Sequence, residues 1–389
     1  YDTDPGELLR TWKARRQKED LETFLLPFGY GDGGGGPVRD HIEFAMRQKN
    51  LEGSPKVEMA SPEEFFHQME QEGGPRHTYT GELYFTAHRG TYTVQAMIKK
   101  NNRRSELALR EMEFWGSAAL AAGKTYDSEA AERLWKVLLF NQFHDILPGS
   151  SIERVYTEAN KEHEALQAEA KQLVSAYEGA LLKPEEKAAV ISNSLPFART
   201  AVVSLPDDFA GAELADGTRV PVDEKGRALV AVPPMSMTTL YQAPASPVRT
   251  GVVTAAEENG GFRMENDQIS VFVNSDGEVT SYVRKDSGRE FAAGPMNHFR
   301  LFRDIPRYFD AWDIDSMYQE EELPGAFDRS VRLVEQGGLK AVLHVEGKIG
   351  NSSYSQDISL ESGSDRLEFA TTVEWNELHR LLKVSFPAA

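Results

Sequence analysis

The sequence predicts a multidomain α+β protein in which an α/β segment, a three-helix bundle and two β regions follow one another. Between residues 94 and 182 the apolar residues recur at helical spacing, and from about Val190 onward they alternate as in strands. The change of period falls near Pro184. Before residue 94, short apolar runs and helix signals alternate around a glycine-rich loop, which is typical of α/β structure. The length of 389 residues favours about two to four domains.

Composition and charge restrict the class of protein. A hydrophobic fraction of 40% is ample for globular cores, and no segment approaches the roughly 18 apolar residues of a membrane span. We therefore expect no membrane partner. The formal net charge of -18 argues against nucleic acid, because phosphate binding needs clustered Lys and Arg. The sequence has no cysteine, which fits a reducing compartment and predicts a cytoplasmic protein.

The start of the sequence predicts a fragment of a longer protein. The first residue is Tyr1 and not Met, and no basic-then-apolar signal segment follows it. A charged helical stretch from Glu7 to Asp20 opens the chain without a convincing preceding element. The oligomeric state stays open, and a homo-oligomer is compatible with the sequence.

The first 93 residues alternate between helix and strand signals. A capping box of Ser61 and Glu64 marks the start of one helix, and Pro37 can open another. The predicted elements, in order, are a helix at 7–20, a buried strand at 21–28, a glycine loop at 29–37, a helix to about Lys49, a strand at 57–60 and a helix from Ser61.

The glycine loop allows three interpretations. Gly29, Gly31 and Gly34 satisfy the G-x-G-x-x-G pattern of a dinucleotide-binding loop, which would suggest a nucleotide-binding oxidoreductase. Asp32 lies inside the loop, however, where its carboxylate would repel a pyrophosphate. The second interpretation is an open loop at the carboxyl end of a barrel strand, with Asp32 facing a pocket. The third is a flexible surface turn with a solvated Asp32.

Three long helices are predicted after the glycine loop. The first extends from about Val94 to Ala122 and the second from Asp127 or Ser128 to Leu147. The third has an apolar stripe with alternating spacings of three and four, which is typical of a bundle seam. Short connections between the helices predict an antiparallel three-helix bundle. His163 lies on the apolar stripe, so we interpret it as a core histidine and not as a ligand.

The second half of the chain is predicted to be β structure. A small β domain would end near Tyr241, and a proline-rich linker follows it. Regular strands with turn signals between them then predict a sandwich. Residues 306–315 are dense in aromatic rings and carboxylates. We interpret this segment first as an interdomain contact and second as a surface on which sugars stack. The predicted strands are 201–205, 217–222, 228–232, 268–273, 279–284, 330–336, 340–349, 353–360 and 366–374.

The run from Asn141 to Ser151 carries the clearest chemical signal. It places His144 beside Asp145 at what the pattern predicts to be the last turn of an apolar helix. Neighbouring positions on a helix point about 100° apart, so one group could hold a metal while the other holds a substrate. The alternative is a polar helix end that His144 caps.

Together with four other segments, this run resembles the bacterial branch of the family 38 glycoside hydrolases, which are zinc-dependent α-mannosidases. The other segments are 29–37, 82–93, 310–315 and 374–387, in the same order as in the family. The resemblance implies the end of an α/β catalytic barrel at 1–93 and the three-helix middle domain at 94–182. It further implies a small β domain at 183–242 and, at 250–389, the start of a large β-sandwich that resembles galactose mutarotase.

The resemblance also implies a chemistry and roles for three residues. The family hydrolyses terminal α-mannosides of oligosaccharides or glycans with retention, and its zinc is held by two histidines and two aspartates. His144 matches a zinc ligand, Asp145 a carboxylate that binds mannose hydroxyls, and Asp32 the candidate acid/base. The early His-x-Asp pair and the nucleophilic aspartate have no counterpart here. We therefore expect the chain alone to bind zinc weakly and to be inactive. A non-catalytic carbohydrate-binding or scaffold module stays as the alternative.

Overall fold

A computed structural model describes residues 2–16, 18–31, 34–81, 86–182, 187–245 and 253–389, with the side chains of 86 and 87 excepted. They belong to two compact units, 1–84 and 85–389. Asp32, the candidate acid/base, lies outside the described residues. Within these ranges no helix is both long and apolar enough to cross a membrane.

The first unit contains three short helices, and the first and third begin with a capping side chain. Asp4 accepts hydrogen bonds from the backbone N–H groups of Gly6 and Glu7 at 2.7 and 3.2 Å, and so caps the first helix. The capping box predicted at Ser61 is confirmed, since the Glu64 N–H donates to Ser61 Oγ and the Ser61 N–H donates to Glu64 Oε2. The three helices are α1 (Pro5–Ala14), α2 (Arg39–Arg47) and α3 (Pro62–Gln71).

The strands predicted in this unit are wrong. Neither 21–28 nor 57–60 forms a strand, and the described part of the unit contains no other strand that could pair with them. A strand is stabilised by hydrogen bonds to a neighbour, so an apolar run alone does not produce one. The run at 21–28 instead packs Phe24 against the Trp12 ring, with centroids 5.5 Å apart. The described residues therefore show no barrel closure.

The second unit begins with a 3-10 turn (Thr86–Tyr92). The three predicted helices follow it. Leu109 and Met112 of the first long helix are fully buried against Leu138 of the second and Leu166 of the third. His163 is also buried, which agrees with its interpretation as a core residue, and Ser105 Oγ lies 2.9 Å from its Nδ1. The helices are α4 (Ala96–Ala121), α5 (Ser128–Asn141) and α6 (Glu153–Leu181).

Two small antiparallel sheets follow the helices. One has the strand order β1-β6-β3-β4, and the other pairs β2 with β5. Their facing sides bury Phe209, Val230 and Leu240. The strands are β1 (Ala188–Asn193), β2 (Arg199–Ser204), β3 (Gly211–Glu213), β4 (Arg219–Val220), β5 (Arg227–Val232) and β6 (Ser236–Ala243).

Three further antiparallel sheets share one core that includes Val271, Leu343 and Phe299. Their strand orders are β11-β10-β9-β8-β7, β14-β15-β16-β17 and β13-β12-β18. The strands are β7 (Thr254–Glu258), β8 (Gly261–Glu265), β9 (Ile269–Val273), β10 (Val279–Arg284), β11 (Arg289–Glu290), β12 (His298–Arg303), β13 (Glu322–Leu323), β14 (Ala326–Glu335), β15 (Lys340–Ile349), β16 (Ser352–Glu361), β17 (Leu367–Glu374) and β18 (Arg380–Ser385).

Polar contacts join the small sheets to their neighbours on both sides. Arg110 on α4 donates to Ser194 Oγ at 2.9 Å and to Ser194 O at 2.7 Å. On the other side, Arg227 Nε donates to Asp223 Oδ2 at 2.9 Å and its guanidinium also pairs with Glu335 on β14. Burial alone would raise the pKa of Asp223, but the hydrogen bonds from Arg227 hold it below its usual value. The small sheets are therefore fixed between the helices and the larger sheets.

Candidate active site around His144 and Asp145

His144 and Asp145 lie in a turn and not, as predicted, in the last turn of a helix. Helix α5 ends at Asn141, and the next residues form tight turns in which the Ile146 N–H donates to Phe143 O at 2.9 Å. The Gly149 N–H then donates to Ile146 O at 3.0 Å. The prediction placed the helix end beside Pro148, because proline is the obvious local stop signal.

The start of this turn is tied to the two other helices. Asn141 is buried, and its Nδ2 donates to Glu162 Oε2 on α6 at 2.8 Å. Gln142 Nε2 donates to Asn102 Oδ1 on α4 at 3.0 Å. The end of α5 and the start of the turn are therefore held against both other helices.

The far end of the turn is fixed by hydroxyl groups. Ser151 Oγ donates to the backbone carbonyl of Asp145 at 2.7 Å, and the Ser151 N–H donates to the Tyr156 hydroxyl at 2.6 Å. Ile146 is buried in a small apolar cluster with Tyr156 and Ile98. The backbone of Asp145 is thus held from both sides, which pre-organises the two side chains of interest.

Gly149 is required by the close approach of this turn to the segment before α4. Its φ is +89°, and a Cβ at this position would lie 2.6 Å from Val94 Cγ1 and 2.8 Å from Val94 O. The Lys99 ammonium donates to that same carbonyl, and burial lowers the pKa of Lys99 to about 8. Any side chain at position 149 would therefore push the turn away from the start of α4.

The side chains of His144 and Asp145 remain accessible. That of His144 is 79% exposed and that of Asp145 is 43% exposed. His144 Nε2 lies 3.5 Å from Asp145 Oδ2, so the two groups do not diverge as they would on a helix. Ser150 Oγ donates to Asp145 Oδ1 at 3.1 Å, and the Phe143 ring lies 4.2 Å from the imidazole. The sequence pattern did not indicate a role for Ser150 or Ser151, because both act through hydrogen bonds that form only in the folded turn.

The described residues do not by themselves fit a zinc ion. A zinc site in a protein uses at least three His, Cys, Asp or Glu ligands. Across the described residues, no group of three such side chains is placed to hold a metal. His144 offers an exposed imidazole, and its neighbour Asp145 is the carboxylate nearest to it in sequence. Asp32 lies outside the described residues, so the structure gives no distance between Asp32 and His144.

Residues 306–315 pack against the 3-10 turn that precedes α4. The Gly90 N–H donates to Trp312 O at 2.7 Å, and the Trp312 ring stands edge-on to the His88 ring at 4.7 Å. Arg89 Nη2 donates to Ile314 O at 3.3 Å. This segment joins a loop of the sheet region to the start of the helices, which is the kind of contact that its composition predicted.

Comparison with protein-family models places the chain in a class of glycoside hydrolases. Residues 1–82 match the N-terminal domain of glycosyl hydrolases family 38, and residues 264–389 match its C-terminal domain. Residues 86–181 match the alpha mannosidase middle domain. The chain belongs to glycoside hydrolase family 38, as the resemblance predicted.

The curated relatives are α-mannosidases. The chain is 36% identical over 390 residues to Alpha-mannosidase 2C1 of Mus musculus and of Homo sapiens, with 98% of this chain covered. It is 30% identical over 425 residues to Alpha-mannosidase G of Dictyostelium discoideum. The chain spans 36 to 39% of the length of these relatives.

Solved structures show the same fold. The crystal structure of an alpha-mannosidase from Enterococcus faecalis V583 matches with a TM-score of 0.68 at 17% identity, over 90% of this chain and 50% of that one. A second Enterococcus faecalis structure, of a protein in glycosyl hydrolase family 38, matches with the same TM-score over 99% of this chain and 55% of its own.

Proposed function

We propose that the chain is part of a retaining, zinc-dependent α-mannosidase that hydrolyses terminal α-mannosides of oligosaccharides or glycans. The observation that carries this proposal is the turn from Asn141 to Ser151. It presents an exposed imidazole beside a carboxylate on a backbone that is fixed at both ends. Membership of family 38 and the α-mannosidase relatives support the same substrate class.

Three residues receive roles in this proposal. His144 supplies one imidazole ligand to the metal, since its exposed ring can reach a cation beyond the turn. Asp145 accepts hydrogen bonds from mannose hydroxyls, with Ser150 orienting its Oδ1. Asp32, which lies outside the described residues, is the candidate acid/base.

We further propose that the 389 residues alone bind zinc weakly and hydrolyse nothing. Retaining hydrolysis needs two carboxylates about 5–5.5 Å apart, and Asp32 is one candidate without a partner. The chain spans 36 to 39% of its curated relatives, so the nucleophile and further metal ligands would come from additional sequence. The absence of cysteine from the sequence supports a cytoplasmic location for the enzyme.

The test compares the 389-residue chain with a polypeptide extended upstream of Tyr1, using an aryl α-mannoside. We expect the extended polypeptide to turn over the substrate and the 389-residue chain not to do so. A chelator should abolish this turnover, and His144→Ala should lower its rate by several orders of magnitude. His67→Ala is the matched control, because the side chain of His67 is 65% exposed on helix α3. Turnover by the 389-residue chain under metal-free conditions would overturn the assignment of both metal and nucleophile.

A second candidate function is a non-catalytic carbohydrate-binding module. It would rest on Asp145 alone, whose side chain is 43% exposed and can accept hydrogen bonds from sugar hydroxyls without a metal. In that case the extended polypeptide would bind mannosides by calorimetry but would not turn over the aryl substrate. Asp145→Asn would then weaken sugar binding while a chelator would leave it unchanged.

A further inference from the structure

We call residues 306–315 the aromatic loop. Three aromatic rings of this loop and the ring of His88, which the loop contacts, form a row of four. The ring centroids of Tyr308 and Phe309 are 6.3 Å apart, those of Phe309 and Trp312 are 5.5 Å apart, and those of Trp312 and His88 are 4.7 Å apart. Trp312 and His88 are half-buried where the loop docks, whereas Tyr308 and Phe309 are 59% and 69% exposed. The row therefore extends from a packed contact into solvent.

Phe309 is held in this exposed position at an energetic cost. Its φ is +57°, in the left-handed region, which disfavours a residue with a Cβ by roughly 1–2 kcal/mol. The conformation is fixed because its carbonyl accepts hydrogen bonds from the N–H groups of Trp312 and Asp313, at 2.8 and 2.9 Å. Strained residues that the surroundings hold in place concentrate at ligand-binding sites.

Two buried polar atoms without a hydrogen-bond partner in the described part of the chain belong to residues next to His88 and Trp312 in the sequence. Asp313 Oδ1 and Arg89 Nε are buried atoms that make no hydrogen bond among the described residues. Asp310, next to Phe309, is exposed. Burial raises the pKa of nearby Asp304, the hydrogen bond from the Asp315 N–H opposes this rise, and the charges of Asp315 and Asp310 add to it. A sugar ring matches such a surface, since it offers an apolar C–H face to aromatic rings and hydroxyl groups to carboxylates.

A chain of contacts connects the aromatic loop to the candidate active site. The Gly90 N–H donates to Trp312 O, and Gly90 O accepts a hydrogen bond from the Val94 N–H at 2.9 Å. Val94 in turn contacts Gly149, which belongs to the same turn as His144. The loop is thus linked to that turn through three consecutive contacts, all within the second unit.

We infer that the aromatic loop forms an outer sugar subsite for the second sugar residue of the substrate, on the leaving-group side. The rings of Tyr308 and Phe309 stack against this sugar, and Asp310 accepts hydrogen bonds from the hydroxyl groups of the sugar. Trp312 acts as a positioning residue through its contacts with Gly90 and His88. The inference rests on the proposed function and adds the component that selects for an oligosaccharide over a simple mannoside.

Binding can be tested on the 389-residue chain itself by following its indole N–H signals in NMR spectra. The five tryptophans give five signals, and Trp312→Phe identifies that of Trp312. Titration with α-linked mannobiose should shift this signal, whereas the same concentration of methyl α-mannoside should shift it much less. The double variant Tyr308→Ala with Phe309→Ala should remove the shift. Phe197→Ala is the matched control, because Phe197 is 57% exposed and lies in the small β domain.

Kinetics on the polypeptide extended upstream of Tyr1 separate this inference from the proposed function. The double variant should lower kcat/KM at least tenfold for mannobiose and have a much smaller effect on that for methyl α-mannoside, whose leaving group has no ring to stack against Tyr308 and Phe309. Equal effects on both substrates, no effect on either, or an unmoved Trp312 signal in the titration would each overturn the subsite, even with the wild type active. An inactive wild type that still binds mannobiose at Trp312 would instead overturn the proposed hydrolysis and support the subsite.

Discussion

The two compact units differ in how their helices are stabilised. Helices α1 and α3 of the first unit begin with capping side chains, yet the buried apolar residues described in that unit are Leu8 and Ala45. In the second unit, α4 to α6 bury a continuous core that includes Leu109, Leu138 and Leu166. Local signals therefore decide where a helix begins, while packing decides how stable it is.

The largest expected effect is on amide hydrogen exchange. Amides of α4 and α6 should exchange through global opening of the second unit, and those of α1 to α3 through local fraying with a small free energy. We expect protection to differ by several orders of magnitude when exchange is followed by mass spectrometry on the intact chain. Similar protection in both sets of helices would show that the first unit has a core of its own.

A matched pair of leucine substitutions should sharpen this comparison. Leu138 is fully buried in the bundle, so Leu138→Ala should lower the free energy of unfolding by about 2–5 kcal/mol. Leu25 in the first unit is 41% exposed, and Leu25→Ala should change it by about 0.5 kcal/mol or less. Urea unfolding of both variants, followed by circular dichroism, measures the difference. Equal destabilisation would contradict the assignment of the core.

Two glycines with positive φ separate backbone strain from steric overlap. Gly149 has φ +89° and no space for a Cβ, whereas Gly53 in the first unit has φ +78° and nothing within 4 Å. Both alanine variants should be strained, but Gly149→Ala should cost about 1–3 kcal/mol more because Val94 has to move. Thermal unfolding compares the two. If the two variants lost equal stability, the turn would be free to move away from α4.

The smallest effect is a pH dependence from His163. Burial lowers the pKa of His163, and its Nε2 is buried without a hydrogen-bond partner among the described residues. Below about pH 6.5 the unfolded chain binds a proton that the folded imidazole resists, so His163 makes stability fall as pH decreases through that range. Urea titrations at several pH values should show this slope reduced in His163→Gln.

The parts of the fold that sequence alone predicted are those with strong local patterns. Strands β10 and β15 have the predicted limits, because alternating residues and tight turns mark both ends. The end of α5 was placed too late, because the helix stops at Asn141, where contacts to other helices such as that with Glu162 are not visible in the local sequence. The strands at 21–28 and 57–60 failed because strand formation needs a neighbouring strand, which no local pattern supplies.

The candidate site was predicted in part. The sequence indicated His144 and Asp145, and the structure places their side chains 3.5 Å apart and exposed. The sequence could not indicate that Ser151 fixes the backbone of Asp145 or that Gly149 packs against Val94, because these contacts depend on tertiary structure. The assignments of His144 to a metal, of Asp145 to a sugar and of Asp32 to proton transfer stay predictions.

Gly90 and Gly149, at the two ends of the chain of contacts, both lack space for a side chain. A Cβ on Gly90 would lie 2.9 Å from Asp313 O, and one on Gly149 would lie 2.6 Å from Val94 Cγ1. Neither position has space for a side chain, so the backbones approach closely at both ends of the chain of contacts between the aromatic loop and the turn that carries His144. In the proposed enzyme, a mannose at the turn and a second sugar on the aromatic loop would be joined by one glycosidic linkage. The placement of the loop relative to the turn would then select oligosaccharides by the geometry of the linkage that joins their last two sugar rings.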